Sequence, residues 1–322
     1  MKNIAVCIFA PAKLDKSAQG LVGAGYRLAR ECDGHLRVIV LGSGAEQIAN
    51  EVARVAETVI IADQKELSEY HPESSLNALT TLCKEMQPLA VLLSSEMHNQ
   101  EIAPRLAYRL SGSSVGDGIQ VSKAGPRLRV TRAVYGGRAH AVIEMKRYPA
   151  VIWLRSRGLD PPEADNSLGE IKRVTLDIPA NHICIVERKY ETTTELRLED
   201  AHVIIAGGRG IGGPEPFVTE LRPLAEMLGA QLAASRAACD AGWVPSTMQV
   251  GQTGKRVAPD LYLAVGISGA SQHLMGISDA KNIAAINIDA DAPIFKHSRI
   301  GIVADYRIVL PLLRKQLMTL CK

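Results

Sequence analysis

Between Gln249 and His273 the chain reads "QVGQTGKRVAPDLYLAVGISGASQH". A Gly-rich loop carrying Gln252 and Thr253 leads into an apolar run, which ends in a small-residue turn closed by Gln272 and His273. Polar tips at both ends of a buried strand can converge backbone amides, hydroxyls and an imidazole on one ligand. Upstream, Gly208, Gly210 and Gly213 form G-x-G-x-x-G after a strand-like run and before a helix-like one. In that context glycines let the backbone approach a pyrophosphate, and the helix N-terminus favours its charge. A tight glycine turn without a ligand would have the same pattern. The usual NAD fingerprint wants an acidic residue at the end of the next strand, where this chain has "ASRAA" with Arg236. The turn therefore serves either NADP, whose extra phosphate an arginine can hold, or a ligand that is not a nicotinamide nucleotide.

Two other chemistries are set aside. "GQTGK" is too short for a P-loop, and Arg256 stands where the magnesium-binding hydroxyl belongs. "GISGA" misses the nucleophile elbow because its final glycine is displaced by one position. Ser268 in such a turn suits a helix cap whose neighbouring amides bind phosphate. Alone, His273 reads as a packed, hydrogen-bonded histidine. Asn287 and Asp305 end strand-like runs, where ligand contacts collect in open α/β sheets, although a turn residue and a helix cap would look the same.

The elements that must position these groups fall into two sets. "IAVCIF", "LRVIVLG", "TVIIAD" and "LAVLLSS" read as buried parallel strands, with helices expected over 17–31, 46–55, 72–86 and 98–110. After "GSSVGDG" the period changes. "RLRVTRAVYGGRAHAVIEM", broken at Gly136-Gly137, reads as a hairpin-like antiparallel addition, followed by the buried strand "AVIWLRSR". A surface loop over 158–170, strands at "RVTLDIP" and "HICIVERK", and the polar linker "ERKYETTTELRLED" complete the first part. The last third restarts the βαβ alternation: "AHVIIAGGRGIGG" is strand and glycine loop, "PEPFVTELRPLAEMLG" a helix and "AQLAASRAACDAG" strand then loop. "NIAAINID" and "RIGIVADYRIVLPLLRKQLMTL" then give two strands and a C-terminal helix. The expected fold is α/β, with two doubly wound domains: 1–190, with antiparallel additions, and a Rossmann-like 191–322.

Composition narrows the class. With 47% hydrophobic and 22% charged residues and a net charge of only +3, the chain has no footprint for nucleic acid or an anionic membrane. No apolar stretch approaches the roughly 20 residues of a membrane-spanning helix, and the N-terminus lacks signal-peptide or transit-peptide character. Cys7, Cys32, Cys83, Cys184, Cys239 and Cys321 are widely spaced without a C-x-x-C pair, which favours buried reduced thiols over a disulfide, zinc or iron–sulfur framework. The expected location is the cytoplasm.

"GGRGIG", the long block "ASRAACDAGWVPSTMQVGQTGKRVAPDLYLAVGISGASQH", "AINIDADAPIF" and "IVADY" resemble, in order and spacing, the FAD domain of electron transfer flavoprotein alpha subunits, the FixB-like family. In the first domain "TRAVYGGRAHAVI" adds a weaker likeness. The resemblance implies FAD as cofactor, with Arg236 over the isoalloxazine, Thr253 near flavin N5 and His273 at the pyrimidine end. Ser235, Gln252 and Ser268 would line the flavin and its tail; Arg209, Asn287 and Asp305 would contact phosphates and adenosine. Val250, Gly251, Gly269, Ala270, Ser271, Gln272 and Tyr306 complete the implied contacts. A guanidinium and an imidazole there would stabilise the charge that a reduced flavin carries around N1 and the C2 carbonyl. The sequence departs from the family at Ile288, where members commonly have lysine, in the proline-rich turn after "GGRGIGG", and in the first domain's "GGRAHAVIE", whose wording points to a specialised paralogue.

By the same resemblance the chain is an electron carrier rather than an enzyme with its own substrate, with no catalytic or metal-ligating residue. It would form a heterodimer with a beta subunit through its first domain. Electrons would come from acyl-CoA-type or other flavin dehydrogenases and go to a quinone reductase or similar acceptor. The alternatives are an electron-bifurcating relative, an NADP-dependent oxidoreductase built on the G-x-G-x-x-G turn, and an adenine-nucleotide-binding module without flavin.

Overall fold

A computed structural model describes residues 2–10, 14–135, 137, 139–162, 168–180, 185–187 and 197–320. Cys184, Cys321, Gly136, part of the 158–170 loop, most of "HICIVERK" and the boundary expected near Glu191 lie outside the described residues. The chain divides into two compact units.

The first unit alternates strand and helix: β1 (Lys2–Phe9), α1 (Lys16–Glu31), β2 (Gly34–Leu41), α2 (Ala45–Val52), β3 (Thr58–Ala62), α3 (Pro72–Met86), β4 (Ala90–Ser94) and α4 (Met97–Arg109). Every residue of β3 and β4 is buried, as expected for strands covered on both faces by helices. Local chemistry marks the helix starts. The Ala18 amide donates to the Asp15 carboxylate that caps α1 (2.8 Å), and α3 opens with Pro72 and an acidic Glu73. Then come β5 (Ser113–Ala124), β6 (Arg127–Val134), β7 (Ala139–Glu144), β8 (Ala150–Leu154) and β9 (Glu170–Arg173).

These strands form one nine-stranded sheet, β7-β6-β5-β8-β4-β1-β2-β3-β9, with β5-β6-β7 antiparallel and the remaining pairs parallel. The antiparallel addition thus takes the form expected. Its first strand begins earlier, because all of "GSSVGDG" after Gly112 belongs to β5 instead of preceding a change of period. Glycine is needed there: a Cβ on Gly116 would lie 2.0 Å from the Trp153 indole nitrogen on β8. The strand expected at "RVTLDIP" (173–179) does not form: β9 ends at Arg173, the first residue of that run, and 174–179 lie outside any strand.

The second unit runs β10 (Val203–Gly207), a π-helical turn Phe217–Leu221 leading into α5 (Arg222–Leu228), β11 (Gln231–Ala234), α6 (Arg236–Asp240) and β12 (Leu261–Val265). It ends with α7 (Ser271–Ile277), β13 (Ile283–Asn287), β14 (Ile300–Val303) and α8 (Tyr306–Leu320). The five strands are all parallel, in the order β11-β10-β12-β13-β14. The stretch after β11, read from sequence as loop, is the short helix α6. Apolar clusters pack on both faces of the sheet, one around Tyr262, Val250, Ile267 and Ile277, the other around Phe217, Leu224, Tyr306 and Leu310. Among the described residues no helix is long and apolar enough to cross a membrane.

Cys7, Cys32 and Cys83 are buried free thiols as expected, whereas Cys239 is half-buried. Burial pushes the Cys83 thiol up to about 12, far from the thiolate range.

Candidate functional site

In the second sheet the chain leaves β10 toward β11 and returns to the other side of β10 for β12. The helices that follow β10 and β12 therefore pack on opposite faces of the sheet, and doubly wound sheets open a crevice at such a switch point. The register pairs Gly207 with Val265, so both turns begin at one level. A cleft of about 700 Å³ opens here.

The glycine turn serves packing more than ligand capture. The Gly208 amide donates to the Val265 carbonyl (2.9 Å) and the Gly210 amide to the Gly266 carbonyl (3.0 Å). The Ile211 and Gly212 amides close a tight turn on Gly208 and Arg209. These four donors are spent inside the protein, so the G-x-G-x-x-G pattern is not an open phosphate cradle, and the NADP reading loses its main support. Gly213 has nothing within 4 Å of an ideal Cβ, so it is not the close-packing third glycine of that fingerprint. The Tyr306 hydroxyl, buried, donates to the Ile211 carbonyl (2.8 Å) and pins the turn from below.

Free donors come instead from the turn after β12. The amides of Ser271 and Gln272, in the first turn of α7, have no intrahelical acceptor. Opposite stands the segment 249–255, held to α7 by the Gln252 amide on the Gln272 carbonyl (2.7 Å). Within it the Gln249 side-chain amide donates to the Thr253 hydroxyl oxygen (2.9 Å). That leaves the Thr253 proton free to donate elsewhere.

From α6, Arg236 reaches the cleft paired with Asp240 (Nε to Oδ2, 3.2 Å), both side chains about two-thirds exposed at 67% and 64%. Asn287 bridges strand ends: its amide donates to the Ile267 carbonyl (3.0 Å) and its oxygen accepts from the Asp289 amide (3.1 Å). His273 lines the cleft yet is only 7% exposed. Its Nε2 lies 3.0 Å from the Tyr262 hydroxyl, and burial lowers its basicity to about 4, with the nearby Val250 backbone opposing in part. The ring is therefore neutral at pH 7, and His273 supplies a dipole rather than a charge.

Of the sequence-derived site residues, Arg209, Ser235, Arg236, Val250, Gly251, Gln252, Thr253, Ser268, Ala270, Gln272, His273 and Asn287 line this one cleft. Gly269, Ser271, Asp305 and Tyr306 are outside its lining. Gly269 shapes the turn, since its φ is +81° and a Cβ would meet the Ile294 amide nitrogen at 2.3 Å. Asp305 caps α8, its carboxylate accepting from the Arg307 amide (2.9 Å).

The lining also contains Ala237, Asp240, Gln249, Gly266, Ile267, Ile288 and Asp289, which sequence reasoning did not place there. The spacing of Arg236 and Asp240, and of Gln249 and Thr253, is four residues in each case. That is a readable signal for the first pair once α6 is seen as a helix.

The donor set suits an anionic ligand rich in carbonyl oxygens: two guanidiniums, hydroxyls, side-chain amides and helix first-turn amides. Ala237, Val250, Ile267, Ala270 and Ile288 add apolar side chains to the same lining. Two buried polar atoms on the lining, Ser235 Oγ and His273 Nδ1, make no well-aligned hydrogen bond in the protein, although the Val250 backbone stands beside the His273 ring.

Comparison with known proteins agrees. The family model described as the electron transfer flavoprotein FAD-binding domain matches residues 197–278, and that of the electron transfer flavoprotein domain matches residues 6–179. The electron transfer flavoprotein subunit alpha of Thermoanaerobacterium thermosaccharolyticum is 36% identical over 96% of this chain and 95% of its own. The subunit of the same name in Bacillus subtilis is 35% identical over 88% of each chain. Protein FixB of Clostridium saccharobutylicum is 34% identical over 93% of this chain and 91% of its own. The chain belongs to the electron transfer flavoprotein alpha subunit family, and its second unit is an FAD-binding domain.

Proposed function

We propose that the chain is the flavin-holding subunit of a two-subunit electron carrier and that the switch-point cleft of its second unit is the FAD site. The observation that carries this is the convergence in one cleft of Arg209, Arg236, Thr253, Ser268, Gln272 and the Ser235 and His273 atoms that make no well-aligned hydrogen bond in the protein. FAD supplies the electron-accepting and electron-donating chemistry when bound. The protein's part is to hold it, exclude water and set its potential.

Arg209 and Arg236 bring fixed positive charge. Thr253, its oxygen occupied by Gln249, presents a proton. The α7 amides suit phosphate oxygens. The apolar side chains of the lining suit the ring.

The first unit would associate with a beta-type subunit. Electrons would come from a flavin dehydrogenase, of acyl-CoA type or similar, and leave to a quinone reductase or another acceptor, in the cytoplasm. Similarity over nearly the whole length to proteins named as alpha subunits supports the partner.

The test is to purify the chain co-expressed with the product of its genomic neighbour and record visible spectra during stepwise reduction. A yellow protein whose flavin bands bleach reversibly supports the reading. A colourless protein that takes up no added FAD overturns it, and NADPH titration follows.

A further inference from the structure

Tyr262 belongs to β12 and is fully buried among Val250, Ile267 and Ile277, so its hydroxyl has little choice of partner. Among the described residues that hydroxyl makes one hydrogen bond, to His273 Nε2 at 3.0 Å. Two arrangements of protons fit the distance. If Nε2 carried the ring proton, it would donate to the phenol oxygen, and the Tyr262 O–H would sit in the core with nothing to donate to. A buried donor left without an acceptor is destabilising. If the ring proton sits on Nδ1, Tyr262 donates to Nε2 and nothing is left over except the Nδ1–H. That nitrogen lies on a side chain that lines the cleft and makes no well-aligned hydrogen bond in the protein; the Val250 backbone beside the ring favours a proton there as well.

We infer that Tyr262 is a positioning residue: its hydroxyl donates to Nε2, fixes the His273 proton on Nδ1, and so readies the imidazole as a single N–H donor for an acceptor on the cleft ligand. Burial acts in the same direction, since it disfavours both the imidazolium and the phenolate and keeps the pair neutral. The other ring nitrogen's hydrogen bond is what sets a histidine tautomer. Here that partner is a core residue and not a neighbour in the cleft. The assignment rests on the cleft being the FAD site only for the identity of the ligand; the proton arrangement is a property of the chain itself.

The test is nitrogen NMR of the full-length chain, co-purified with its partner and labelled at histidine, with and without added FAD. The His273 signal is identified by its loss in His273→Gln. A protonated Nδ1 and an unprotonated Nε2 in the parent protein are expected. Tyr262→Phe, which removes one oxygen and keeps the ring, should shift protonation toward Nε2. It should also raise the FAD dissociation constant about fivefold, the equivalent of one hydrogen bond of about 1 kcal/mol.

A parent protein protonated on Nε2, or a Tyr262→Phe protein with the tautomer unchanged, overturns the inference. Failure to bind FAD defeats the reading of the cleft instead, and the spectra without FAD still decide the tautomer. The parent spectrum also serves should the variant fold poorly.

Discussion

Gly208 and Gly266 meet backbone to backbone: a Cβ on Gly208 would lie 2.2 Å from the Gly266 carbonyl oxygen. Gly266 itself has φ +61°, and a Cβ there would lie 2.8 Å from the Gly210 carbonyl carbon. The two turns flanking the switch point can therefore touch only while both are glycine. Their contact forms part of the cleft wall, whose lining includes Gly210 and Gly266.

Gly208→Ala should accordingly cost about 2–3 kcal/mol, since the obstacle is backbone rather than a flexible side chain. Gly213→Ala, in open space, should stay within about 0.5 kcal/mol. Urea unfolding of the two variants, with FAD content measured alongside, checks the pair. Equal damage at both positions would restore the dinucleotide-fingerprint reading of the turn.

Arg236 reaches the cleft from α6 held by an exposed ion pair to Asp240, and such pairs contribute little to stability. Its effect is expected on the flavin. Arg236→Ala should make reduction harder by about 1–3 kcal/mol per electron through loss of a nearby fixed charge. FAD binding should change less, and Asp240→Asn should move the potential the opposite way. Spectroelectrochemical titration decides, and an unchanged potential in Arg236→Ala places the guanidinium away from the ring.

His273 makes stability depend on acid. A histidine in the unfolded chain titrates near 6.5, whereas in the folded protein burial lowers it to about 4. Between those values the unfolded chain holds a proton that the folded chain does not. Stability is then complete above pH 6.5 and falls as pH drops toward 4, by up to about 3 kcal/mol. Melting curves across this window should fall more steeply for the parent than for His273→Gln. Parallel slopes would show that the ring is freely protonated in the folded state.

Tyr306 separates two roles by where its loss is felt. Its hydroxyl donates to the buried Ile211 carbonyl, so Tyr306→Phe should destabilise the chain by about 1–2 kcal/mol even without FAD. FAD affinity should then drop only as far as the glycine turn loosens. Unfolding measured on FAD-free protein tests this. An unchanged stability combined with weakened binding would make Tyr306 a direct cofactor contact.

Much of the molecule is legible along the chain because strand and helix are written in short-range periodicity. The apolar runs at β1 to β4 and β10 to β14 and the helix α3 stand close to where their patterns put them. The elements that escaped lack such a pattern: β5 is rich in glycine where Trp153 needs the space, and α6, at five residues, is too short to show a helical period.

The residue types of the site were likewise readable, since hydroxyl, amide and arginine side chains cluster at strand ends in a recognisable order. What the chain order could not state is how those ends meet. Only the strand order β11-β10-β12 brings the turn at 208–211 against the turn at 266–270 and turns a phosphate-like motif into a packing contact. Only burial makes His273 neutral, and only the fold of α7 over β12 sets Tyr262 behind it. Periodicity is a local property of the backbone, whereas the proton on an imidazole depends on which distant group shares its pocket.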